Sequence, residues 1–186
     1  MNDDAIKIIL LPGMDGTGEL LECFVERAPQ KFEPFVVPLP QKALSSYPEL
    51  ADRVIRHIPI NEPFLLLGES FSGPLALEIA SRQLTDLMGV ILVASFVTPP
   101  VSQRLRWLPW SLLFHLPAPR AMIQRLLLNS TEDETLATEV LQTLRSVDPQ
   151  VLASRVQLVL NHNSRQVLKS CPAPLLSLQS SFARLV

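Results

Sequence analysis

Cysteine, glycine, histidine and charge are all scarce in this chain, and each shortage removes a class of function. Two cysteines, Cys23 and Cys171, among 186 residues cannot make a disulfide scaffold. No Cys-x-x-Cys pair or Cys/His spacing offers a metal site. The two thiols read as inert in a reducing cytoplasm. Charged residues are 18% of the chain, the net charge is -2 and the isoelectric point is about 5.9. No broad basic surface is therefore expected for nucleic acid. No run reaches the roughly 18 unbroken apolar residues that a bilayer span needs. The longest candidate, residues 107–116, is short and broken by Pro109. The opening residues, MNDDAIKIILLPG, begin acidic and lack the basic segment that starts a signal peptide.

What is present is largely apolar. Hydrophobic residues make up 47%, which excludes a disordered chain and gives one domain a substantial core. Residues 5–11 (AIKIILL), ending at Pro12-Gly13, read as a buried strand. Residues 20–27 read as a helix and 35–37 (FVV) as a short strand. Residues 47–58 carry Leu50, Val54, Ile55 and Ile58 at helical spacing, with Ser45 or Ser46 able to cap the start. Residues 63–67 (PFLLL) and 88–94 (MGVILVA) are continuous apolar strands, and 73–83 between them is a helix. This alternation predicts a mostly parallel α/β sheet with helices on both faces.

The pattern changes at Thr98. From there to about Ser170 no strand is legible, and many of the 17 prolines fall in its first part. Thr131 with Glu134 three residues on forms a capping box for a helix to about Ser146. Asp148 and Pro149 are the N-cap and first position of another. Residues 174–178 (PLLSL) resume the sheet. The expected organisation is a sheet core over 1–97, a helical cap inserted at 98–170, and a returning core strand in 171–186, after which the chain is truncated.

The sequence LLLGESFSG, residues 65–73, carries the strongest chemical signal. A nucleophile elbow is Gly-x-Ser-x-Gly between a strand and a helix. Gly68, Glu69, Ser70 and Phe71 fit it; Ser72 replaces the last glycine and Gly73 follows. Such a turn lifts the Ser70 hydroxyl above the carboxyl edge of the sheet, where open α/β sheets bind ligands. The alternative is a serine capping an ordinary strand–helix turn. The second motif is LLPGMDGTG, residues 10–18. Acyl transfer needs two donors for an oxyanion. The Phe71 N–H and the Met14 N–H, on a loop that Gly13 lets approach closely, are the candidates. A phosphate-binding loop is the alternative, but neither Gly-Lys-Ser/Thr nor a third spaced glycine is present.

On these residues, with MGVILVAS, a helical insert and PLLSLQ following, the chain resembles the α/β-hydrolase superfamily. The likeness is to its small esterase, lipase and thioesterase-like members with a Pro-Gly oxyanion loop. The resemblance implies a serine nucleophile, an acyl-enzyme, no cofactor, a cap over the site, and a triad in the order Ser, Asp/Glu, His. Two triad members do not follow. Ala183 stands where the resemblance expects the acid, and the chain ends before the expected histidine. Of the three histidines, His57 is expected on a solvated edge, His115 among apolar cap residues, and His162 as a cation at a helix C-terminus. Glu132, Asp133 and Glu134 suit the first turn of their helix, Glu69 could orient cap or substrate, and Asp15 could hold its loop by local hydrogen bonds.

Residues 104–128 combine Trp107, Trp110 and Phe114 with Arg104, Arg106, Arg120 and Arg125. A lid of this composition could line an acyl-chain pocket or make peripheral membrane contact, unless it simply packs on the sheet. The expected function is hydrolysis of a small-molecule carboxylic ester or thioester with an apolar acyl group. The alternatives are an inactive truncated relative and an acyltransferase on the same fold. A further expectation is that the last strand leaves an apolar edge prone to aggregation.

Overall fold

A computed structural model of the chain describes residues 5–58, 62–100, 102–115 and 134–179. Five strands form one parallel sheet: β1 Ile6–Leu11, β2 Phe32–Val36, β3 Phe64–Glu69, β4 Leu87–Val93 and β5 Leu175–Leu178. Their spatial order is β2-β1-β3-β4-β5. The chain steps outward from β1 to β2, then crosses back to place β3 on the other side of β1. Loops leaving β1 and β3 therefore part company at the carboxyl edge, the position where open α/β sheets bind ligands. The register aligns Leu11 with Gly68, Glu69 with Val93, and Val93 with Leu178. The residues following β1, β3, β4 and β5 thus emerge along one edge.

Helices connect the strands: α1 Glu22–Arg27, α2 Tyr47–Val54 and α3 Ser72–Ala80. Ser46 caps α2 by accepting from Glu49 N–H, while the Glu49 carboxylate accepts from the N–H and hydroxyl of Ser45, so both candidate capping serines are used. α3 is buried almost throughout, with Leu75, Ala76, Leu77, Ile79 and Ala80 all inaccessible. It shares a core with Ile9, Leu66, Phe64 and Val90 of the sheet. β2 starts three residues before the expected run. Pro34, which argues against a strand, is accommodated because β2 pairs on one side only.

Between β4 and β5 the described residues contain no strand. A 3-10 turn Gln103–Trp107 leads to α4 Trp110–His115, then α5 Glu134–Ser146, α6 Pro149–Asn161 and α7 Arg165–Lys169. Asp148 caps α6 by accepting from Gln150 N–H at 2.7 Å, with Pro149 at the first turn as expected. α6 buries Leu158 and Val159 in the main core. Its other end, with Val147, Val151 and Leu152, forms a second cluster that reaches Met14 of the β1 loop. Residues 120, 125, 131–133 and 183, and the Glu134 side chain, lie outside what is described.

Candidate active site

Ser70 is the residue at the sharp turn. Its φ is 47°, the left-handed region that costs a non-glycine residue about 1 kcal/mol or more. The turn persists because β3 before it and α3 after it are fixed by burial, where each apolar side chain contributes about 2 kcal/mol. The glycines make room. A Cβ at Gly68 would lie 2.4 Å from Ser72 O, and one at Gly73 would lie 1.7 Å from Ser95 Oγ. At the last glycine position of the pattern, Ser72 is fully buried and its hydroxyl donates to Pro12 O. The departure from glycine is therefore a tether that brings the elbow against the β1 loop.

Peptide planarity then aims the two candidate donors. Ser70 O accepts from Ser95 Oγ at 2.7 Å and from Gly73 N at 3.2 Å. The N–H of Phe71, on the same trans peptide, points the opposite way. Likewise Gly13 O accepts from Gly16 N at 3.1 Å, which turns the Met14 N–H away from Gly16. Neither amide makes a hydrogen bond with another described residue. Tyr47 supports the elbow from below: its hydroxyl donates to Phe71 O at 3.0 Å, and the two rings lie 5.2 Å apart.

The loop after β1 is held by buried charge. The Asp15 carboxylate accepts from Thr17 N–H at 2.8 Å, the Thr17 hydroxyl at 2.7 Å and Gly18 N–H at 3.4 Å, the local role expected of it. From α6, the buried Arg155 donates to the carbonyls of Met14 and Asp15, both at 2.7 Å, and of Pro40 at 3.1 Å. Gly16, at φ 65°, leaves the space its guanidinium occupies. Burial lowers Arg155 to about 10, still charged at neutral pH. Glu69 turns toward Gly13, whose Cβ, if present, would collide with the Glu69 carboxylate. Burial, and then the Asp15 charge, push Glu69 up to about 7.

Arg155, Ser95 and Tyr47 were not singled out in the sequence. Arg155 left a trace: it sits four residues from both Val151 and Val159, inside the apolar stripe of α6. Ser95 and Tyr47 left none, because their partners are main-chain carbonyls distant in sequence.

No family model matches the chain, and no curated protein matches its sequence. Solved structures do match. A lipase-esterase related protein from Clostridium acetobutylicum is 14% identical with a TM-score of 0.74, over 95% of this chain and 75% of that one. The enol-lactonase from Burkholderia xenovorans is 16% identical with a TM-score of 0.73, over 96% and 74%. An alpha/beta hydrolase from a Medee basin deep-sea metagenome library is 15% identical with a TM-score of 0.68, over 95% and 72%. This chain has the α/β-hydrolase fold.

Within that α/β-hydrolase fold no described histidine is hydrogen-bonded to Ser70, whose hydroxyl has no partner among the described residues. His57 is exposed, as expected, with Nδ1 at 3.0 Å from Arg53 O. His115 is also exposed, with Nδ1 at 2.6 Å from Ser111 O. His162 corrects the sequence reading of a cation at a helix end. Its ring is half-buried 4.5 Å from the Tyr47 ring and 2.7 Å from Ser164 Oγ, and burial lowers its pKa, favouring neutral imidazole. Ala183, the expected acid position, lies outside the described residues.

Proposed function

We propose that this chain carries the site of a serine hydrolase for small-molecule carboxylic esters or thioesters. The observation that carries this reading is Ser70 itself. A non-glycine residue at φ 47° stands between a buried parallel strand and a buried helix, at the point where the sheet order reverses. In this reading Ser70 Oγ bonds to the acyl carbon and the alcohol or thiol leaves with a proton. Water then attacks the acyl-enzyme, releasing the acid and restoring the serine hydroxyl. The Met14 and Phe71 amides receive the oxyanion at both steps. The helical segment between β4 and β5 covers the edge where this happens and acts as the cap. Support for an acyl-transfer site comes from Ser72 tying the elbow to the Pro12-Gly13-Met14 loop, and from two amides that have no partner among the described residues. Two of the structural neighbours, a lipase-esterase related protein and an enol-lactonase, agree with ester chemistry.

A fluorophosphonate probe tests this directly. Labelling is expected on a single tryptic peptide containing Ser70, and Ser70→Ala should abolish it. Labelling that persists in Ser70→Ala, or none at all in the folded parent, would reject the reading for this chain.

A further inference from the structure

The turn Gln103–Trp107 and helix α4 pose a packing problem that the proposed chemistry leaves untouched. Trp110 and Phe114, four residues apart, take the inner side of α4. The Trp110 indole N–H donates to Leu105 O at 2.9 Å, the two rings lie 6.1 Å apart, and Phe114 packs against Val147, Val151 and Leu152. With that side filled, the remaining large apolar residues face outward. Trp107 is 78% exposed, Leu112 60%, Leu108 41% and Leu113 38%. One exposed leucine needs no explanation, but four large apolar side chains within residues 107–113 do.

Charge narrows the partner. Arg104 and Arg106 are exposed beside this face, and the Arg106 guanidinium lies 4.9 Å above the Trp107 ring. Between Asp86 and Glu132 the sequence has four arginines and no carboxylate, although the whole chain carries a net charge of -2. Cationic and apolar groups are thus collected in one stretch. A second copy of this chain would set arginine against arginine. A basic protein would be repelled as well. A surface with an anionic rim over an apolar interior accepts both features: tryptophan favours the headgroup level, and arginine extends its charge outward from an apolar stem.

We propose that the face formed by Trp107, Leu108, Leu112 and Leu113, flanked by Arg104 and Arg106, docks on an anionic lipid surface. It lies in the plane of the headgroups as a peripheral contact and does not span the bilayer. The contact does not depend on Ser70 being a nucleophile, so a Ser70→Ala chain docks equally well.

The experiment is co-sedimentation of the chain with vesicles of phosphatidylcholine alone and of an equimolar phosphatidylcholine–phosphatidylglycerol mixture, with tryptophan emission recorded in parallel. Binding to the anionic vesicles only, a blue shift of emission, and release by salt are expected. Trp107→Ala combined with Leu112→Ser, and separately Arg104→Gln combined with Arg106→Gln, should each weaken binding on the order of tenfold. All four positions are exposed, so the urea midpoint stays unchanged. Phe24→Ala, an exposed aromatic on α1 next to Glu22 and Glu26, should bind like the parent. Absence of binding, equal binding to both vesicles, or a Phe24→Ala loss as large as that of the patch variants would overturn the proposal. So would a concentration-dependent dimer that Trp107→Ala abolishes without any vesicle binding, because the face would then join copies of the chain.

Discussion

At the scale of single residues, the chemistry of the site edge is set by how little water reaches it. Glu69 stands next to Ser70 in sequence, yet its carboxyl turns away under the Pro12-Gly13 loop, close to the Asp15 charge. An unfolded glutamate titrates near 4.5; here the group titrates at about 7. The folded chain therefore holds the Glu69 proton more tightly than the unfolded chain does. That contribution to stability is complete below the unfolded value and is lost as pH rises through the folded one. A shift of this size corresponds to about 3 kcal/mol at its limit. Glu69→Gln keeps the shape and removes the titration. In urea unfolding it should match the parent at about pH 4 and exceed it by about 3 kcal/mol at about pH 8. A constant difference between the two chains across that range would show that Glu69 ionises freely. Ser72 teaches a related lesson. Its sequence position marked an imperfect motif, and its hydroxyl is the direct bond between the two halves of the site.

At the scale of elements, the strands were legible and the edges were not. β1 and β3 are apolar runs bounded by Gly or Pro, β4 is a continuous apolar run, and burial makes such runs unambiguous. β2 was read short because Pro34 and Glu33 hide half of it, and only pairing on one side of β1 tolerates that composition. β5 is the opposite case. Its sequence reads as a buried strand, but all four of its residues are exposed, with Leu175 at 39%, Leu176 at 52% and Leu178 at 49%. Among the described residues it pairs with β4 alone. An apolar strand with an unpaired rim is a template for another chain, and a charge on it blunts the template. Leu176→Lys should slow turbidity growth on warming while moving stability by less than about 0.5 kcal/mol. Unchanged aggregation in light scattering would indicate that β5 is not the sticking surface.

For the whole molecule, the deciding contact joins parts 141 residues apart, where Arg155 on α6 reaches Met14 O. One guanidinium satisfies three carbonyls and holds the loop that supplies a candidate oxyanion donor. The helical segment is therefore fastened to the sheet at the site itself. Arg155→Met fills similar space but leaves those carbonyls without donors, and should cost about 3 kcal/mol or more. Hydrogen exchange should rise at the amides of residues 13–18. A loss no larger than that of a surface substitution would mean that the helical segment and the loop are held by apolar contacts alone.

The order of residues carries the sheet series, the candidate elbow around Ser70, the glycine-rich loop and the helical segment. These are local properties: hydrophobic period, caps, and glycines where backbones must pass closely. It carries as well the segregation of arginine and tryptophan after β4. The packed fold alone sets which carbonyls pin the two candidate amides, that Ser72 is a tether, that Arg155 is buried, and that His162 is a half-buried ring against Tyr47. Those facts depend on groups brought together from remote parts of the chain, and on removing water from around them. Neither appears in the order of residues until the sheet has closed its layers.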